Sequence, residues 1–262
     1  MGNNRLQDCG LVAALILCAT LAAICQALPP EHATAGTPNS NSTPLTVDQV
    51  VEKLQERNAE RAAALDQYKA TRVYRMQYRG FPSARDAEMV VNVDYHAPNS
   101  KQFQVVSQTG SKFIIDRVFN KLLDGEQEAS NEENRRHTAL STENYDFTLA
   151  GYESTPGGAQ YVLNLLPKTK NKFLYRGQIW VDAKDFAVVR IQGEPERNPS
   201  FWIKKTNIEH TYVNVNGFWL PSQNHTESVI RLGGVAVLSI EYKDYTFTRA
   251  RPPNNGDSAS TR

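Results

Sequence analysis

Side chains that could perform acid–base or metal chemistry are spread thinly along this chain. The histidines are His32, His96, His137, His210 and His225. Glu209 and His210 are adjacent, but no second histidine completes the metal-binding motif of a zinc protease helix, and the surrounding pattern is that of a strand. Ser200 lies in Asn-Pro-Ser-Phe rather than in the sharp strand-to-helix turn of a nucleophilic serine. The spacing therefore predicts no catalytic group, no metal site and no cofactor.

The carboxylates and glycines that stand close together fit turns better than active sites. Asp182 and Asp185 flank a short polar segment between two strand-like runs, where aspartate accepts hydrogen bonds from backbone amides. Gly157–Gly158 and Gly233–Gly234 are isolated pairs, not the glycine-rich loops that hold phosphate groups. These positions predict chain reversals.

Apolar and aromatic side chains offer a different chemistry, because the burial of hydrocarbon needs no polar group. All three tryptophans lie between Leu174 and Leu220, and they are open to two interpretations, core packing or the lining of a ligand cavity. Several strand-like runs carry apolar residues on both faces, which favours a cavity. The candidate cavity-lining residues are Phe103, Val105, Ile115, Phe119, Leu122, Phe147, Leu149, Leu163, Trp180, Trp202 and Trp219.

Strand-like patterns position most of these candidates. Two β-rich runs meet at the turn that holds Asp182 and Asp185, and ahead of that turn Ile179 and Val181 share one face. Asn216–Gly217 is typical of a second hairpin turn, because both residues tolerate a positive φ angle. The same alternation recurs along most of the chain, which predicts an antiparallel sheet with one buried side.

Two segments have helical spacing instead. Thr46 and Gln49 form a capping-box pattern, and apolar residues follow at helical spacing as far as Tyr68. Ser111–Leu123 carries a broad apolar stripe, with Gly125 just beyond its end as a helix terminator. The order of elements predicts a mainly β fold. It would be one strongly curved antiparallel sheet, or an open barrel, with a few helices on the concave side.

Composition limits the partners. The 29 basic residues balance 28 acidic ones, giving a net charge of +1, so the chain has no electrostatic attraction for nucleic acid. A hydrophobic content of 40% is enough for the core of one domain. The cysteines, Cys9, Cys18 and Cys25, all lie in the N-terminal segment, so we expect no disulfide and no thiol nucleophile in the rest of the chain.

That N-terminal segment is typical of a secretory signal peptide. The apolar run from Leu11 to Cys25 is short for a membrane span, and Ala27 precedes a suitable cleavage point. An uncleaved anchor is the alternative. We expect a signal peptide over 1–27, a disordered linker over 28–44, one domain over 45–249 and a disordered tail over 250–262. The mature chain would have no transmembrane span and would be periplasmic or secreted.

Four short segments carry a family resemblance. They are Gly177–Asp182 (Gly-Gln-Ile-Trp-Val-Asp), Val188–Ile191, Asn198–Trp202 and Gly217–Pro221. With the leader and the capped first helix, they resemble the lipoprotein-carrier superfamily, which comprises Lol-type and outer-membrane lipoprotein-sorting proteins. The resemblance implies a half-barrel of about eleven strands, closed by helices around an apolar cavity for acyl chains, and no catalytic residues. The long polar arm before Thr46 departs from the carrier pattern. The lack of a convincing lipobox counts against the anchored receptor form of the family.

Two hypotheses on function follow from this resemblance and the residues. The first is a periplasmic, non-enzymatic carrier of lipid or lipoprotein acyl chains, with the helix at Ser111–Leu123 opening and closing the cavity. The second is an envelope protein-interaction or stress-sensor module without bound lipid, in which the sheet binds an envelope protein.

Overall fold

The computed structural model describes residues 45–98, 100–130, 132–197, 201, 203–231 and 233–249, with the backbone alone for 248–249. The predicted signal peptide, linker and tail lie outside these ranges, and so does Trp202. What the sequence predicts for these segments and for Trp202 therefore remains a prediction.

Three helices and ten strands follow one another in the described part of the chain. Helix α1 spans Val47–Ala64, and α3 spans Glu132–Thr138. Helix α2 is built from the consecutive stretches Lys112–Ile114, Ile115–Phe119 and Asn120–Ala129, of which the middle one is a π-helical turn. The strands are β1 Leu65–Gly80, β2 Arg85–His96, β3 Ser100–Gly110, β4 Tyr145–Thr155, β5 Gly158–Pro167, β6 Tyr175–Asp182, β7 Val188–Pro195, β8 Ile203–Val215, β9 Phe218–Ile230 and β10 Gly234–Arg249.

All the strands belong to one antiparallel sheet, in the order β3-β2-β1-β10-β9-β8-β7-β6-β5-β4. Among the described residues, strands β3 and β4 are the two free edges of the sheet, so the sheet is open. The predicted mainly β, open antiparallel fold is confirmed. The described residues form ten strands, whereas the family resemblance implied about eleven.

The chain crosses one face of this sheet between its edges. Strands β3 and β4 are consecutive in sequence, yet they lie at opposite ends of the strand order. The connection that contains α2 and α3 must therefore travel across the sheet. Helix α2 packs against β1, β2, β9 and β10, whereas α1 packs against β4, β5, β6 and β7. We call the side that carries α1 and α2 the inner face, and the other side the outer face.

Helix α1 begins as the sequence predicts. Thr46 Oγ1 accepts a hydrogen bond from the Gln49 backbone amide at 3.3 Å, and Gln49 Oε1 accepts one from the Thr46 amide at 3.0 Å. The helix ends earlier than its apolar stripe indicates, at Ala64. Leu65 and Tyr68 already belong to β1, because backbone pairing with β10 and β2 fixes an extended conformation there.

The prediction that Gly125 terminates the second helix is wrong. Helix α2 continues through this buried glycine to Ala129. The next residue, Glu126, forms ion pairs with Arg72 and Lys101 on the inner face, and these tertiary contacts hold the chain helical where glycine alone disfavours it.

Candidate functional site

The part of the inner face under α2 contains several of the predicted lipid-binding residues. Phe119 and Leu122 are fully buried, and the Phe119 ring centroid lies 6.0 Å from that of Tyr74 on β1. Ile115 and Phe103 are partly buried against the same cluster. The structure therefore brings these four candidates together, in a layer that α2 itself fills.

Three further candidates lie on the other half of the inner face. Leu163 is fully buried under α1, and Phe147 is partly buried against the same cluster. Leu149 on β4 lies opposite Leu163 but is 45% exposed, because β4 is a free edge. The predicted residues thus form two groups, one under each helix.

The inner face reaches solvent at both edges of the sheet. Val105 on β3 lies opposite the buried Val91 and is 43% exposed. At the other edge Tyr152 lies opposite Tyr161, next to Leu149, and is 57% exposed. Each edge therefore presents apolar side chains that continue the buried clusters outward.

The two tryptophans in the described residues lie on the outer face, away from the other candidates. Trp180 alternates with Ile179 and Val181 of the α1 cluster, and the Arg190 guanidinium stacks 3.6 Å from its ring centroid. Trp219 alternates with inner-face residues of β9, and its indole Nε1 donates a hydrogen bond to Asp185 at 3.0 Å. Neither ring shares a surface with Phe119 or Leu163.

The centre of the inner face, between the two helices, is polar. Five buried polar residues of β8 and β9 lie there: Thr206, His210, Asn224, Thr226 and Ser228. The Asn224 amide nitrogen lies 3.3 Å from His210 Nε2, and its carbonyl accepts from Thr226 at 3.1 Å. Burial lowers the pKa of His210 to about 4, so its ring is neutral at pH 7. These polar side chains separate the apolar residues under α1 from those under α2.

A buried ion cluster joins α2 to the sheet. Glu126 on α2 lies between Arg72 on β1 and Lys101 on β3, and all three side chains are at most 2% exposed. Arg72 Nη1 donates to one Glu126 oxygen at 2.5 Å and Lys101 Nζ to the other at 2.8 Å. Burial would raise the pKa of Glu126, but the two cations bring it down to about 2.

Sequence reasoning missed this cluster, although a signal exists. The alternation of β1 assigns Tyr74, Met76 and Tyr78 to the apolar face of the strand, and it assigns Arg72 to the same face. Lys101 precedes Phe103 by two residues in the same way. A charge that falls on the apolar phase of a strand is an indication of a buried ion pair.

The outer face carries a groove of about 480 Å³ where β7 and β8 diverge. Its lining includes Gln178, Gln192, Glu209 and His225. These side chains are polar, so the groove suits neither an acyl chain nor the predicted apolar cavity.

Two general features of the described residues bear on function. None of their helices is long and apolar enough to cross a membrane. Within the same ranges, no group of three or more His, Cys, Asp or Glu residues is arranged to hold a metal ion.

The chain is similar to solved structures of the LolA superfamily and of outer membrane lipoprotein-sorting domains. An outer membrane lipoprotein-sorting protein domain from Vibrio parahaemolyticus is 12% identical, with 79% of this chain and 95% of that chain covered and a TM-score of 0.39. A LolA superfamily protein from Nitrosomonas europaea is 14% identical over 79% and 96% of the two chains, with a TM-score of 0.34.

A third similar structure is the complex of MucA and MucB from Pseudomonas aeruginosa, which is 10% identical over 77% of this chain and 99% of that chain, with a TM-score of 0.26. No protein-family model and no curated protein matches the chain. All three TM-scores lie below 0.5.

Proposed function

We propose that this protein is a non-enzymatic binder or carrier of lipid or lipoprotein acyl chains, with α2 as a movable cover over the inner face. The observation that carries the proposal is the packing of α2 on the inner face of the sheet. Its fully buried side chains Ile114, Val118, Phe119 and Leu122 fill one half of the inner face, next to the β3 edge, where Val105 is exposed. An acyl chain that enters from an edge can take the place of this helix surface.

The energies of the two states are of similar size. Uncovering four buried α2 side chains costs about 6–12 kcal/mol, at 1.5–3 kcal/mol for each. An acyl chain with about a dozen buried methylenes contributes about 10 kcal/mol, at 0.8 kcal/mol for each. One acyl chain and the buried surface of α2 therefore compete on equal terms.

The internal structure of α2 supports movement. Its residues Ile115–Phe119 form a π-helical turn, a geometry that is uncommon within α-helices and frequent at functional sites. Two of the candidate residues, Ile115 and Phe119, lie in this turn. We place the point of bending there.

Export is a second part of the proposal. It rests on the predicted signal peptide over 1–27, with a linker over 28–44 that separates the leader from the domain. The carrier would then work in the periplasm or outside the cell, where acyl chains must cross water between membranes.

The edge residues allow a test that leaves the core intact. Val105→Asp places a carboxylate on the inner face at the β3 edge, next to the half that α2 covers, where it should weaken uptake of a fluorescent fatty acid at least tenfold. Leu166→Asp is the matched control, because Leu166 is 56% exposed on β5 but faces outward, as its partner Asp146 does. Uptake is measured by probe fluorescence, and circular dichroism verifies folding.

Equal uptake by the two variants would contradict the proposed route. If neither the variants nor the unmodified chain take up the probe, the proposed carrier function itself is wrong.

Protein binding at the free edges is the second candidate function. Strands β3 and β4 both have one unpaired side, and β4 exposes Leu149 and Tyr152 next to it. Such an edge can pair with an added strand of an envelope protein. A stable partner in a pull-down, together with failure of lipid uptake, would favour this function over the carrier.

A further inference from the structure

We propose that the cluster of Arg72, Lys101 and Glu126 binds the acidic head group of the ligand, so that this protein selects anionic lipids. The inference rests on the proposed function, since it concerns the same inner face. It specifies a ligand that combines an acyl chain with a single negative charge, a carboxylate or a phosphate.

The first argument is charge. Arg72 and Lys101 contribute two positive charges and Glu126 one negative charge, so the buried cluster has a net charge of +1. A buried charge without a counter-ion is unfavourable, even after relaxation of the surroundings. A monoanionic head group would neutralise the cluster without breaking the ion pairs that hold α2.

The second argument is hydrogen-bonding capacity. Arg72 Nε is buried and has no acceptor among the described residues. Lys101 Nζ makes one hydrogen bond in those ranges, to Glu126, although an ammonium group has three donors. The two side chains thus offer N–H groups beyond those that Glu126 uses, and carboxylate or phosphate oxygens are the acceptors such groups prefer.

The third argument is the apolar path to the cluster. Lys101, Phe103 and Val105 alternate along the inner face of β3. Lys101 is buried, Phe103 is partly buried and Val105 is 43% exposed at the edge. The Phe103 ring also lies 5.8 Å from the Arg72 guanidinium. A head group at Lys101 would therefore leave its acyl chain along the apolar side chains of this edge.

The test compares ligands that differ only in charge. Binding of cis-parinaric acid and of its methyl ester is measured by fluorescence at pH 7.5. The second pair consists of dioctanoyl phosphatidic acid and dioctanoylglycerol, and both are measured as competitors of the methyl ester. Comparison of the two pairs shows whether the site binds a phosphate or a carboxylate. We expect the acidic member of at least one pair to bind ten times more tightly or better.

Lys101→Met should abolish this preference by weakening binding of the acidic member at least tenfold, and circular dichroism verifies that the variant folds. The variant keeps the ion pair between Arg72 and Glu126. Because these two charges cancel, the buried cluster then has no net charge. Lys101→Arg should restore the preference by restoring the charge. Lys69→Met is the matched control and should behave like the unmodified chain, because Lys69 is 62% exposed on the outer face.

The possible results separate the two proposals. Equal binding of the acidic and neutral members in both pairs would overturn the head-group site while leaving the carrier function intact. A preference that survives in Lys101→Met would overturn it as well. If no probe of either pair binds, the proposed function fails.

Discussion

His210 is the clearest case of a single residue whose chemistry is set by its position. Its imidazole is buried on the inner face of β8 next to Asn224, and burial lowers its pKa from 6.5 to about 4. Between these two values the unfolded chain binds a proton that the folded chain excludes. The neutral ring therefore stabilises the fold fully above pH 6.5, and this contribution is lost as the pH falls towards 4.

We expect the free energy of unfolding to fall by about 2 kcal/mol between pH 7 and pH 5 because of His210. Urea denaturation at the two pH values measures this difference. In His210→Gln most of the pH dependence should disappear. His225→Gln is the control, because His225 is exposed on the outer face of the adjacent strand. A His210→Gln protein that loses as much stability as the unmodified chain would contradict the assignment.

The charged residues show what a sequence can reveal about buried polarity. Asp182 was predicted to accept backbone hydrogen bonds in a turn, and its Oδ1 accepts them from the amides of Lys184 and Asp185 at 3.0 and 2.7 Å. That motif is local, so the sequence contains it entirely. The cluster around Glu126 joins residues that are 25 and 54 positions apart, and no local pattern specifies such a pairing.

Among the secondary-structure elements, α1 is fixed to the sheet by one buried arginine. Arg61 is fully buried, and its guanidinium donates to the Asp185 carbonyl at 3.0 Å and to the Phe186 carbonyl at 2.8 Å. Burial lowers the pKa of Arg61 to about 10, which leaves it charged at neutral pH. The contact holds the end of α1 on the β6–β7 turn, where Phe186 has a φ angle of 48°.

Arg61→Met should lower the free energy of unfolding by about 3 kcal/mol, because two part-buried carbonyls lose their donor. Thermal or urea denaturation gives the value. Arg57→Met, one helical turn earlier, is the control. Arg57 pairs with Glu60 at the surface, 38% and 45% exposed, and such pairs contribute about 0–1 kcal/mol. Similar losses in the two variants would mean that the carbonyl contacts do not hold α1.

Helix starts and strand alternation were predictable, and helix ends were not. The capping box at Thr46 and Gln49 is a four-residue signal, and the structure confirms it. Gly125 and the apolar stripe through Tyr68 gave wrong boundaries, since long-range pairing overrode local preference at both places. The sequence could not show on which face of the sheet Trp180 lies. Alternation assigns residues to two faces, but it does not show which face the helices cover.

The topology of the whole molecule explains why α2 can act as a cover. The connection that contains it joins the two free edges of the sheet, and it lies over the inner face rather than within the sheet. Movement of α2 would therefore leave the antiparallel pairing of the strands intact. The central claim is that acyl chains bind where α2 now packs.

Native mass spectrometry tests this claim most directly. The chain of residues 28–262 would be purified without detergent from an exporting bacterial host and weighed before and after incubation with a long-chain fatty acid. The account predicts adducts of lipid mass that organic solvent removes. A chain that has the bare polypeptide mass in both samples would contradict it.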